Sequence, residues 1–168
     1  ITVNAVATDS KASITTGATA LVEGSNTVTV DVIAEDGTTK QTYTVTVTRA
    51  LSSDALLSGI ALSAGSLDPV FSNIGGNYAY KATVANSVSS ITVAGTARHS
   101  GATVSGNGSY DLVAGTPKTI TLGVTAADGT TTGTYTVSVL RAAAAASTDA
   151  TLVSLSVTDS ASTELVAA

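Results

Sequence analysis

The sequence contains no cysteine, no tryptophan and no methionine, and only two prolines. Without cysteine there are no disulfide staples and no thiolate metal sites, so the fold rests on its apolar core. Aromatic residues are limited to Phe71 and five tyrosines, which leaves a core of Val, Ala, Leu and Ile and no tryptophan platform for a sugar to stack on. Charge is sparse too: seven Lys plus Arg against twelve Asp plus Glu give a net charge of −5. The basic residues stand singly on an acidic chain, which excludes a surface for a phosphate backbone. The Ala142 to Ala146 run falls far short of the roughly 20 apolar residues that span a bilayer. The chain opens on Ile1, with no initiator methionine and no basic segment followed by an apolar one, so it reads as a mature piece or a fragment.

What is present is Val and Thr, whose β-branched carbons suit a pleated, half-buried surface better than a helix. The length of 168 residues suffices for one to two compact domains. With so few charges, solubility falls to Thr, Ser, Asn and Gly, a surface style associated with exported proteins.

The chain matches itself. Ile1-Thr2-Val3 falls on Ile91-Thr92-Val93, and Ala34-Glu35-Asp36-Gly37-Thr38-Thr39 falls on Ala126-Ala127-Asp128-Gly129-Thr130-Thr131. Thr42 to Ala50 then falls on Thr134 to Ala142, and the offset grows from 90 to 92 residues, so two single-residue insertions in turns account for it. A second match joins Ser52-Ser53-Asp54-Ala55 to Ser147-Thr148-Asp149-Ala150, with Leu57, Ile60 and Leu62 on Leu152, Leu155 and Val157. The organisation expected is the C-terminal half of one β-sandwich repeat over 1–50, a complete repeat over 51–142, an Ala-rich linker over 143–146, and the first strand or strands of a third sandwich over 147–168. If the chain ends are real, the half unit over 1–50 leaves an apolar face and open strand edges that something must cover.

Period-two alternation at Val28, Val30 and Val32, and at Tyr43, Val45 and Val47, predicts antiparallel strands. Asp36-Gly37, Asp128-Gly129 and Asn107-Gly108 sit between such runs and predict hairpin turns. Helical spacing is absent, and five alanines are too few to hold a helix in water. The fold class is all-β, in immunoglobulin-like antiparallel sandwiches with very little helix.

The complete unit resembles the bacterial cadherin-like β-sandwich family, found in several copies in exported surface proteins. Leu57, Ile60, Leu62, Ser63, Gly65, Leu67, Pro69 and Phe71 carry the first part of the likeness, followed by Tyr78, Tyr80, Val84, Val88, Ile91 and Val93. Ala126, Asp128-Gly129-Thr130-Thr131, Tyr135, Val137, Val139 and Arg141-Ala142 close it. The tail departs from the pattern at Ser160, Ser162, Glu164 and Val166. The resemblance implies repeated spacer or adhesive modules and supplies no catalytic residue.

The residues themselves point the same way. Calcium needs six to eight oxygen ligands, yet Arg49 to Asp54 and Arg141 to Asp149 hold one carboxylate each, and Asp36 and Asp128 belong to their turns. The single histidine, His99, lies in Arg98-His99-Ser100-Gly101, which reads as a solvated hairpin connection without a nucleophile elbow. Glutamate occurs only at 23, 35 and 164, so paired glycosidase carboxylates lack support. Tyr78 and Tyr80 share a strand face, one of them expected in the core, and Asn107-Gly108-Ser109 is a formal glycosylation sequon.

No catalytic, cofactor or metal residue is therefore expected, and the chain is not read as an enzyme. The function expected is a structural repeat region of an exported microbial surface protein, extracellular or at the cell surface, forming a fibre, sheath or stalk; either the chain is a window on a longer array, which is the simpler reading, or the tail strand Ala150 to Val157 of one subunit completes the half unit of the next by strand exchange. Two alternatives are an adhesin module for a glycan or protein ligand and a spacer tethering a large exported enzyme. The partners expected are neighbouring repeats or further copies in a head-to-tail polymer, with a surface glycan or protein under the adhesive alternative, and no nucleic acid.

Overall fold

Alternating Val and Thr place branched apolar carbons on one side of an extended backbone and hydroxyls on the other. The computed structural model describes residues 1–17, 20–72 and 78–155, with the strand backbones Val157–Thr158 and Glu164–Leu165. Among the described residues there are twelve strands and no helix.

The central unit is a two-sheet sandwich. One sheet has β4 (Leu57–Leu62), β6 (Ser90–Ala97) and β8 (Gly108–Asp111) in that order. The facing sheet has β5 (Ala79–Val84), β10 (Thr132–Arg141), β9 (Pro117–Thr125) and β7 (Thr103–Ser105) in that order. Leu57, Ile91 and Val93 of the first sheet meet Tyr80, Ile120, Leu122, Val124, Tyr135, Val137 and Val139 of the second, and all are buried. Fully burying one such side chain is worth about 1.5–3 kcal/mol, so this seam dominates the stability of the unit. Arg141 adds a staple, since its Nε and Nη1 donate to the carbonyls of Asn86 and Leu112.

One pairing departs from the antiparallel expectation. β5 and β10 run parallel, from Ala79 opposite Thr136 to Val84 opposite Arg141. The last strand enters beside β5 after four intervening strands, so both can point the same way.

The first unit repeats part of this plan. β1 (Ser13–Thr16), β2 (Gly24–Ile33) and β3 (Lys40–Arg49) form one sheet in that order. Ser13 faces Ile33 and Gly24 faces Arg49, and shifting each residue by the repeat offset gives the registers of β7 on β9 and β9 on β10. The staple recurs as well, with Arg49 Nη1 donating to the Leu21 carbonyl at 2.9 Å. Residues 1–7, which match β6, form no strand. Their counterpart in the central unit, β6, pairs with β4.

The Asp-Gly turns behave as the sequence predicts: Gly37 and Gly129 take φ of 71° and 72°, a region that only glycine enters freely. Asn107-Gly108 does not make a hairpin. β7 and β8 belong to different sheets, so the chain crosses the sandwich here. Gly106 (φ 84°) permits the crossing, because a Cβ there would collide with the Thr121 carbonyl. Arg98 to Gly101 is likewise a sheet-to-sheet crossing, from β6 to β7. The β4-like stretch at 150–155 is not a strand. Beyond it, β11 (Val157–Thr158) pairs with β12 (Glu164–Leu165), while Ser160, Ser162 and Val166 lie outside the described residues.

Candidate functional site

The two Asp-Gly turns are chemically closed. Asp128 Oδ1 accepts the Thr130 and Thr131 amides at 2.8 Å and its Oδ2 accepts the Thr131 hydroxyl at 2.6 Å. Asp36 makes the same three bonds with Thr38 and Thr39 at the same distances. The threonine hydroxyl, aided by the backbone amides, holds each carboxyl down at about 2. These oxygens are committed to turn donors. Among the described residues no group of three or more His, Cys, Asp or Glu is placed to hold a metal ion.

His99 is less solvated than its sequence context suggests. Its Nδ1 accepts the Gly101 amide at 3.1 Å, and its Nε2 lies 3.2 Å from Glu23 Oε1. With Nδ1 accepting, the network assigns the proton to Nε2. Both ring nitrogens are therefore engaged, and the ring links the first unit to the central one. Beside it Arg98 Nε donates to Asp54 Oδ2 at 2.6 Å, which holds the Asp54 carboxyl below its usual range.

The tyrosines divide between core and margin. Tyr80 is buried and stacks on Phe71, with ring centroids 5.8 Å apart. Tyr78 is exposed at one side and meets Tyr135 edge-on at 4.9 Å, so the two do not form one platform. The sequon asparagine is also occupied, since Asn107 Oδ1 accepts the Gly95 amide and Nδ2 donates to the Gly95 carbonyl.

What stands out is an open apolar face over β2 and β3. Tyr43 and Val45 of β3 are 57% and 50% exposed, whereas Tyr135 and Val137, at the same register positions of β10, are 3% and 0% exposed. Together with Ile14, Val30 and Val32 they line an open groove of about 550 Å³, bordered by residues 3–9. In the central unit the corresponding space holds Leu57 of β4, whose amide donates to the Tyr135 hydroxyl at 3.0 Å.

The sheet order, the repeated register and the Arg staple agree with one comparison. The cadherin-like beta sandwich domain matches residues 1–50 and 59–142. The chain belongs to the cadherin-like β-sandwich domain family. No curated protein sequence matches it. Cadherin-like sandwich domains are structural or adhesion-type modules, typically non-catalytic and commonly extracellular. No helix among the described residues is long and apolar enough to cross a membrane.

Sequence reasoning named no residue of this open face. The repeat alignment already placed Tyr43 on Tyr135, and that pairing was the available signal. Glu23 carried none, because its partner is 76 positions away in the sequence.

Proposed function

We propose that this chain is a non-catalytic stretch of repeats from an exported microbial surface protein, built into a fibre, sheath or stalk. The observation that carries the reading is the recurrence of one sheet plan: β1-β2-β3 has the order and register of β7-β9-β10. Repetition of a stiff sandwich converts domain size into reach, so length is the product rather than chemistry. The engaged state of His99 and the closed Asp-Gly turns support this reading. On the same reading, 1–50 is the C-terminal half of a repeat, 51–142 a complete one, 143–146 a linker, and 147–168 the opening of the next.

The test is immunogold electron microscopy of intact producing cells, with antibodies raised against the central unit. The expected result is label along filaments or stalks outside the cell, with an axial period set by stacked sandwiches. Label confined to the cell interior would overturn the reading.

A further inference from the structure

At the end of the central unit where β4 begins, an open polar cleft of about 600 Å³ lies between the bend at residues 52–56 and the start of β10. That volume falls within the roughly 300–1,000 Å³ of small-molecule sites. Asp54 and Arg98 are its charged members, and Tyr78, 42% exposed, is its aromatic one. Thr132 and Thr134 add exposed hydroxyls that bond to no described residue.

The parts are held in place before any ligand arrives, so little ordering remains on binding. The Arg98 amide donates to the Leu56 carbonyl at 2.8 Å and its Nε to Asp54 Oδ2, while Asp54 Oδ1 accepts the Leu56 amide at 3.1 Å. Held by Nε, the guanidinium keeps Nη1 and Nη2, whose N–H donors reach no described residue. The Tyr78 carbonyl accepts the Thr136 amide at 2.7 Å, and its ring rests against Tyr135. A Cβ at Gly133 would collide with the Ala55 carbonyl, so glycine lets the bend close on β10. The fold does not demand this set. At the same positions the first unit has Thr8 for Arg98, Lys40 for Thr132 and Gln41 for Gly133, although its turn and its Arg staple recur.

We infer that this cleft binds a neutral sugar ring. The ion pair decides the ligand class. Paired with Asp54, Arg98 adds no net charge, and the chain as a whole carries −5, so an anion gains little here. Vicinal sugar hydroxyls both donate and accept: one accepts from an Arg98 Nη while its neighbour donates to an Asp54 oxygen. The C–H face of the ring then lies on Tyr78, and hydroxyls at its rim meet Thr132 and Thr134. The inference goes beyond the structural reading above and does not rest on it.

The experiment is a heteronuclear NMR titration of the full chain with the methyl glycosides of glucose, mannose and N-acetylglucosamine, each to tens of millimolar, with sodium acetate as the charged control. The expected result is saturable shifts from at least one glycoside, centred on Asp54, Tyr78, Arg98 and Thr132. Tyr78→Ala removes the exposed ring and weakens binding by about fivefold. Arg98→Lys keeps the charge but loses the planar fork, and also weakens binding by about fivefold. Unchanged resonances of β9 in both variants show that the sandwich is intact. No saturable shift from any of the three glycosides, shifts centred elsewhere, full binding by Tyr78→Ala, or displacement of the glycoside by acetate would each overturn the inference. None of those results touches the surface labelling above, and labelling inside the cell would sink the array reading while leaving the titration to stand.

Discussion

Replacing Tyr135 with phenylalanine removes one oxygen and keeps the ring. That oxygen accepts the Leu57 amide at 3.0 Å, between a ring that is 3% exposed and a strand residue that is fully buried. Without it the amide has neither a protein acceptor nor water, so the substitution forfeits the bond and leaves a desolvated donor, about 1–3 kcal/mol. For a unit of roughly ninety residues this lowers the thermal midpoint by about 10 °C. Tyr43→Phe is the internal control, because the same residue sits at the same register position on an open face. In single chains its effect stays within about 0.5 kcal/mol. The assay is thermal denaturation followed by NMR intensities of residues in β9 and β2, at concentrations dilute enough to keep chains separate. An unchanged midpoint in Tyr135→Phe would mean that the Leu57 amide has another acceptor, and the reasoning fails. Equal losses in the two variants would refute the claim that the first face is uncovered.

Two further outcomes test the turns. Gly106→Ala adds a Cβ that meets the Thr121 carbonyl at a left-handed φ, so it destabilises by more than about 2 kcal/mol, whereas Gly129→Ala, with open space around it, costs about 1 kcal/mol; calorimetry of the two variants that ranked them in reverse would overturn the crossing geometry. The carboxyls of Asp36 and Asp128 are held at about 2, below the unfolded value of about 3.9, so the folded state takes up protons less readily than the unfolded one. Their stabilisation is fully present above the unfolded value and is lost as pH falls through about 2. Asp128→Asn is expected to flatten the acid decline of the central unit, and an acid profile identical to that of the parent chain would contradict this.

Much of the fold was legible because its signals are local. Val28, Val30 and Val32 alternate with polar residues, and β2 buries Val28 and Val30 while half-burying Val32. Asp36-Gly37 and Asp128-Gly129 marked two of the positive-φ glycines. The parallel pairing of β5 with β10 was not legible, since it depends on which edge is free after four intervening strands. Asn107-Gly108 misled for a related reason: the dipeptide permits a reversal, but whether the chain returns to the same sheet or crosses depends on Gly106 beneath Thr121 and on the Asn107 clasp of Gly95. Tyr43 is the instructive residue. Its sequence context is that of Tyr135, and only the packing of Leu57 over Tyr135 makes one of them core while the other is exposed.

The two-sided grip on β10 has a consequence for a chain that is pulled. A tug beyond Arg141 draws β10 along its own axis, across six register pairs with β5 and nine with β9. Those ladders are loaded in shear, so their bonds resist together instead of parting one by one. β3 is gripped on a single side, over ten pairs with β2. Pulled in this way, the central unit holds as one body until both ladders give together.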